Sequence, residues 1–187
     1  MSTAAAAPVS QTLKNLLAAY EGESNATIKY TTFAIKAEVE GYFRAAALFR
    51  AAARGEQVHA AHHARVIVKL GGTPHATLHA PEVKSTRENL AAAKAGEEHE
   101  RDVMYPGFIK EAEAGGHKDA VHSFDLAMKA ETVHAQLYGA ALANLEAQKA
   151  RTTFYVCLVC GEVTDNPAET EHCPICGAVK EKFDPVH

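Results

Sequence analysis

The chain has 187 residues, a formal net charge of −4, and a composition that is 47% hydrophobic and 7% aromatic. That length suits one medium domain, or one domain with a small appendage. The mild charge without a basic stripe argues against nucleic acid as a partner, and no apolar run is long enough to span a membrane. Abundant Ala with few aromatics favours close-packed helices over a sheet.

Residues 1–10 are Ala-rich but lack a charged start and an apolar core, so they read as a flexible tail rather than a signal peptide. From Ser10 to about Glu38 the apolar residues Leu13, Leu16, Leu17, Tyr20, Ile28, Phe33 and Ile35 follow helical spacing. Gly41 predicts a break, and a second helix is expected from about Tyr42 to Leu70, stopped at Gly71-Gly72. Residues 71–85 hold Pro74 and Pro81 with little periodicity and read as a long surface crossover. Ser85-Thr86-Arg87-Glu88 has the form of a capping box and should open a third helix reaching about Ala114 and stopping at Gly115-Gly116. Pro106 inside it removes a backbone donor, which predicts a kink or bulge. A fourth helix is expected from about Lys118 to Gln148. After Arg151 the composition turns to Cys, Gly, Pro and aromatics. The expected organisation is therefore a four-helix bundle over 11–150 and a metal-stapled module over 151–187.

Two stretches repeat one arrangement. Glu23 is followed by Glu56-x-x-His59, and Glu97 by Glu131-x-x-His134, at nearly the same separation. Residues i and i+3 share a helix face, so each pair aims two ligands the same way. A lone Glu on a helix is usually solvated. These carboxylates, joined by Glu100, instead interrupt apolar stripes where core residues belong. Burying such charges unpaired would cost several kcal/mol each, and two divalent metals remove that objection. Carboxylate oxygen with imidazole nitrogen suits iron or manganese and would also take zinc. The pattern is that of a dinuclear site inside a bundle.

Cys157-x-x-Cys160-Gly161 and Cys173-x-x-Cys176-Gly177 form paired knuckles. Each turn brings two thiolates to one metal, and two turns complete a tetrahedral sulfur site. Metal rather than disulfide usage points to a reducing, cytoplasmic compartment. Spacing alone leaves zinc and iron open. The neighbouring aromatics Phe154, Tyr155 and Phe183, and the attachment to a dinuclear bundle, favour iron.

Taken together, Gly22-Glu23-Ser24, Glu56-Gln57-Val58-His59, Gly96-Glu97-Glu98-His99-Glu100, Met104-Tyr105-Pro106, Glu131-Thr132-Val133-His134 and the two knuckles resemble rubrerythrin, from about Leu13 to Phe183. The resemblance implies a ferritin-like four-helix bundle with a di-iron centre, followed by a rubredoxin-like module holding one iron on four cysteines. It implies bridging roles for Glu56 and Glu131, Glu23 on the first iron, and Glu97 and His134 on the second. Glu100 and His59 would be alternative ligands of the first iron, and Tyr30 and Tyr105 would stand behind the ligands. His62, His63 and His99 read as surface histidines or as neighbours of the ligands.

The implied activity is reduction of hydrogen peroxide in oxidative-stress defence, with electrons relayed through the sulfur-bound iron. Since no Gly-rich dinucleotide motif is present, the donor would be a separate reductase using NAD(P)H, or a rubredoxin. Members of the family form head-to-tail or swapped homodimers, which implies that the module reaches the di-iron site of a second subunit. Two other classes compete: an iron-oxidising storage protein, which needs no one-electron feed, and a structural zinc-ribbon protein, which leaves the inward ligands unexplained.

Overall fold

The computed structural model describes residues 10–166 and 171–187. The expected tail over 1–10 lies, except for Ser10, outside the described residues. The chain forms α1 (Gln11–Val39), α2 (Phe43–Lys69), α3 (Thr86–His99), a π turn (Glu100–Met104), α4 (Tyr105–Ala114) and α5 (Lys118–Ala143). The sheet strands β1 (Phe154–Cys157), β2 (Val163–Thr164) and β3 (Phe183–Val186) follow. Helix α1 packs along α2, and α3 and α4 along α5, giving a four-helix bundle.

Local chemistry sets the helix ends. Ser10 accepts from the Leu13 amide at the start of α1. Ser85 and Glu88 complete the capping box of α3 reciprocally. The ends of α1, α2 and α4 share one device. Gly41, Gly71 and Gly116 take positive φ, and the next amide reaches back to the carbonyls of Ala37, Ile67 and Ala112 respectively. The crossover after α2 has no regular structure through residue 85. It is tied to α1 because Asn25 bonds both Thr77 and His79, and Glu21 accepts from the Thr77 amide.

Two expectations need correcting in detail. The third helix is interrupted by the π turn, which lies one turn before Pro106 rather than at it. A proline ring clashes with the carbonyl four residues back, so the disturbance falls on the preceding turn. The fourth helix ends at Ala143, not Gln148. There Asn144 leaves helical geometry and its side chain accepts from the Ala147 amide, starting a separate 3₁₀ turn over Glu146–Lys149.

Between the helices the apolar core falls into two main parts, with a smaller third cluster where Leu126 meets the cysteine knuckles. One part gathers Tyr30, Phe33, Leu48, Phe49, Leu90 and Tyr138. The other gathers Leu16, Ile67, Tyr105, Ala120 and Phe124. On every long helix the candidate ligands fall between the two: Glu23 between Ala19 and Ala26, Glu56 and His59 between Ala53 and Val66, Glu97 between Ala93 and Tyr105, Glu131 and His134 between Ala127 and Tyr138. The bundle is thus a polar layer clamped by two dry ones.

The C-terminal sheet has the order β2-β1-β3, all antiparallel. Phe154, Val156 and Val163 join the first apolar cluster, so the sheet packs on the bundle of its own chain. Arginines of α2 hold it there: Arg44 bonds Thr152 and Asp165, and Arg50 donates to the His187 carbonyl.

Candidate metal centres

Glu23, Glu56, Glu97 and Glu131 are each 0% exposed, and His59 and His134 nearly so. Two overlapping sets of ligand atoms, each set lying within 4.8 Å, can be drawn: Glu23, Glu56, His59 and Glu131, and Glu56, Glu97, Glu131 and His134. Glu56 and Glu131 belong to both. The two sets follow the sequence repeat, one from each half with the Glu-x-x-His carboxylates shared between them.

Tautomers decide what this cluster wants. His59 Nε2 lies 3.0 Å from the Cys160 carbonyl, and His134 Nε2 lies 3.1 Å from the Gly161 carbonyl. A carbonyl only accepts, so both Nε2 atoms carry hydrogen and both Nδ1 atoms face inward. His59 Nδ1 stands 2.8 Å from Glu131 and 2.9 Å from Glu56. His134 Nδ1 stands 2.8 Å from Glu131 without hydrogen-bond geometry. In the neutral imidazole these are lone pairs facing carboxylate oxygens. Glu23 Oε2, Glu56 Oε1, Glu97 Oε2 and both Glu131 oxygens have no hydrogen-bond partner. Converging acceptors without donors are what a pair of cations would satisfy, and a ligating histidine normally donates its other ring N–H in this way.

The electrostatics of the protein alone agree. Burial, then the charges of Glu56, Glu100 and Glu131, pushes Glu23 well above the ordinary carboxylate range. Burial with Glu56 and Glu131 does the same to Glu97. Burial opposes ionisation of Glu56 as well, but the neighbouring His134 and His59 rings outweigh it and hold that carboxyl low. Burial disfavours the charged forms of both histidines, yet the Glu131 carboxylate raises them well above the ordinary imidazole range.

Tyr30 donates to Glu97 Oε1 at 2.5 Å, and Tyr105 donates to Glu23 Oε1. Both tyrosines therefore stand behind carboxylates of the cluster. Glu100 heads the π turn, half-buried and outside both ligand sets. Its carboxyl is raised by burial first and by Glu131 next. His99 is exposed and His62 half-buried. His63 is fully buried and bonds Ser123 and Tyr105, a role the sequence did not single out. Its spacing, four residues past His59, was the only signal.

In the module, the four sulfur atoms lie within 4.8 Å of one another. Gly161 and Gly177 take positive φ and close the knuckles by bonding the carbonyls of Cys157 and Cys173 at 2.8 Å. The backbone amides of Val159 and Cys160 favour the thiolate of Cys157, and that of Glu162 favours the thiolate of Cys160. Glu162, also unremarked in the sequence, is buried with its carboxyl 2.8 Å from Cys173 Sγ. Burial, then Cys173, pushes it up to about 8.

The two centres meet through glycines. A Cβ on Gly161 would come 2.2 Å from His59 Nε2, and one on Gly55 would come 2.7 Å from the Gly161 carbonyl. Only bare backbone on both sides allows this approach. The contact expected from a second subunit is thus made here within one chain. Among the described residues no helix is long and apolar enough to cross a membrane.

Residues 14–142 match the family model described as rubrerythrin, and residues 155–184 match that of the rubrerythrin rubredoxin-like domain. The chain is 38% identical over 176 residues to nigerythrin of Nitratidesulfovibrio vulgaris, covering 94% of this chain and 86% of that protein. It is 35% identical over 183 residues to rubrerythrin of Porphyromonas gingivalis, covering 95% and 90%. Among solved structures, fully reduced, all-ferrous nigerythrin matches with a TM-score of 0.88 at 36% identity, over 99% of this chain and 91% of that one. Bacterioferritin of Desulfovibrio desulfuricans, at 20% identity and a TM-score of 0.68 over 73% and 81% of the two chains, shares the bundle fold alone. The fold is the expected ferritin-like bundle with a small rubredoxin-like sheet module. The cofactors that fit it are a di-iron carboxylate–histidine centre and one iron on four cysteines.

Proposed function

The chain belongs to the rubrerythrin family, and from that premise we propose that it reduces hydrogen peroxide to water, using electrons relayed through the four-cysteine iron from a separate NAD(P)H-dependent reductase or a rubredoxin. The observation that carries this reading is the pair of hydrogen bonds from His59 and His134 to the carbonyls of Cys160 and Gly161. They join a sulfur site suited to single electrons to a dinuclear site suited to pairs. An iron-storage protein has no use for such a junction.

Reduction of one peroxide takes two electrons and two protons and yields two waters. Bound ferrous ions would supply the two electrons at the bundle centre, and a thiolate-bound iron would return them one at a time. The protein's own part is to hold, orient and exclude. Glu23, Glu56, His59 and Glu131 would hold one ion, and Glu56, Glu97, Glu131 and His134 the other. Glu100, at the head of a π turn of the kind often found at functional sites, would alternate with His59 as a ligand. Tyr30 and Tyr105 fix the carboxylates they bond and keep a hydroxyl proton beside the reacting space. The two apolar clusters keep bulk water from both ends.

We further read the organisation as a bundle over residues 11–150 with its module over 151–187, working as a cytoplasmic homodimer in oxidative-stress defence. In such a dimer, exchange of modules between subunits would preserve the junction seen within one chain. The test combines metal analysis with an anaerobic peroxide-reduction assay supplied with NADH, a reductase and rubredoxin. The reading expects three irons per chain and peroxide-dependent NADH oxidation. Zinc in the cysteine site of iron-replete preparations, or no peroxide consumption, would refute it.

A further inference from the structure

Tyr105 is not simply buried beside Glu23; its hydroxyl is aimed from behind. His63 Nε2 lies 3.1 Å from the Tyr105 oxygen, and His63 Nδ1 lies 2.8 Å from Ser123 Oγ on α5. His63 is 0% exposed and wedged between the rings of Tyr105 and Phe124. Ser123 is itself buried but lines a surface hollow of about 190 Å³, shared with His62, Arg65, Lys69, Asp119 and His122.

With Glu23 ionised, as a metal ligand is, the hydrogens in this string have one consistent arrangement. Tyr105 has a single O–H, and Glu23 takes it. The phenol oxygen can then only accept, so the hydrogen between Tyr105 and His63 belongs to Nε2. The nearest carboxylate oxygen, Glu23 Oε1, stands 3.8 Å from His63 Nε2, beyond hydrogen-bond distance, so the buried imidazole stays neutral and keeps a lone pair on Nδ1. Ser123 must donate to it. The direction runs Ser123 to His63 to Tyr105 to Glu23, each bond polarising the next.

We propose that His63 is a positioning residue for the bundle centre: held as its Nε2–H tautomer by Ser123, it locks the Tyr105 hydroxyl onto Glu23, in a string that starts at the Ser123 hollow. This deepens the peroxide-reductase reading and rests on it for its catalytic consequence, though not for its geometry. Without His63 the Tyr105 hydroxyl loses the donor that fixes its rotation, so its bond to Glu23 becomes one option among several.

The geometry is tested without turnover. In protein loaded with zinc at both centres, ¹⁵N imidazole correlation spectra should show His63 neutral and protonated on Nε2. Tyr105→Phe should shift it toward the Nδ1–H form, because Ser123 then becomes the better acceptor. An Nδ1–H or doubly protonated His63 in the parent protein overturns the proposal.

The consequence is read in single turnovers of the diferrous protein with peroxide. His63→Leu and Tyr105→Phe should each slow oxidation about tenfold, the size of one ordinary hydrogen bond. The double variant should be no slower than Tyr105→Phe alone. His63→Gln, which keeps a donor toward Tyr105, should recover most of the loss; Ser123→Ala offers a milder perturbation if His63→Leu folds poorly. Additive losses, or no loss in His63→Leu, overturn the positioning role. Absence of any peroxide reaction in the parent protein would instead refute the function, leaving the tautomer result to stand by itself.

Discussion

His59 Nε2 lies 3.0 Å from the carbonyl oxygen of Cys160. One hydrogen bond therefore separates the backbone of a thiolate residue from a side chain of the carboxylate cluster. It also sets the tautomer of His59, since the nitrogen that donates outward cannot be the one that faces Glu56 and Glu131.

Gly55 makes this contact possible from the bundle side. Replacing an interior helical Gly with Ala ordinarily stabilises by up to about 1 kcal/mol. Here the added methyl would meet the Gly161 carbonyl at 2.7 Å and His134 Cε1 at 3.0 Å, so the sign should reverse. We expect Gly55→Ala to leave the spectrum of the cysteine iron unchanged while slowing its electron transfer to the bundle at least about tenfold, as read by stopped-flow absorbance. Unchanged transfer would mean that the junction is not the route.

Cys160→Ser tests the relay at its other end. A serine hydroxyl does not replace a thiolate in a tetrahedral sulfur site. Reductase-supported peroxide turnover should fall to background, while a single turnover of chemically reduced protein should proceed at the parent rate. Multi-turnover activity at the parent level would remove the cysteine iron from the pathway.

The helices and their stops were legible in the sequence because local rules set them: the capping box at Ser85 and the glycines at 41, 71 and 116 act within one turn. The six residues of the two candidate ligand sets were legible because hard-to-bury side chains fell on apolar faces in a repeated spacing, whereas Glu100, the seventh candidate, stands half-buried outside both sets. What could not be read was any contact between distant positions. Ser123 carries no signal linking it to His63, nor does Glu162 to Cys173, because both pairings are made by tertiary packing. The shortened α5 escaped notice because Leu145 continues an apolar pattern while Asn144 ends the helix by side-chain chemistry. The π turn was anticipated only as a disturbance near Pro106, and its displacement by a turn follows from where the ring clashes.

Glu131 belongs to both ligand sets, whereas Glu97 belongs to one. Glu131→Gln should therefore cost both bundle irons, and Glu97→Gln chiefly one, with the cysteine iron retained in each. Elemental analysis of purified variants reads this directly. Chelation of the parent should lower its thermal midpoint, because ions bound only by the folded state stabilise it by mass action. Equal iron content in the two variants would contradict the shared role of Glu131.

Glu40 links the end of α1 to the start of α3. Its Oε2 accepts from the Thr86 amide at 2.8 Å and hydroxyl at 2.6 Å, and Lys36 pairs with its other oxygen. The Thr86 hydroxyl and Lys36 together hold this carboxyl down at about 2. A carboxylate whose folded value is depressed contributes stability above its unfolded value near 4.5, and that contribution fades as pH falls toward 2. Glu40→Gln should thus destabilise by about 1 kcal/mol at neutral pH, in the range of a lost helix cap. The gap from the parent should narrow steadily below pH 4.5. Urea melts of both proteins at a series of pH values check this; a gap that widens in acid would contradict it.

The most direct test of the account is anaerobic stopped-flow mixing of the fully reduced protein with hydrogen peroxide, followed at the absorbance of the ferric bundle and of the ferric cysteine site. The account predicts oxidation of the bundle irons first, with one peroxide consumed per pair. Slower oxidation of the cysteine iron should follow, refilling the centre, and the first phase should be markedly slowed in His59→Ala. Reduced bundle irons that persist in peroxide, or a first phase no faster than in His59→Ala, would contradict it.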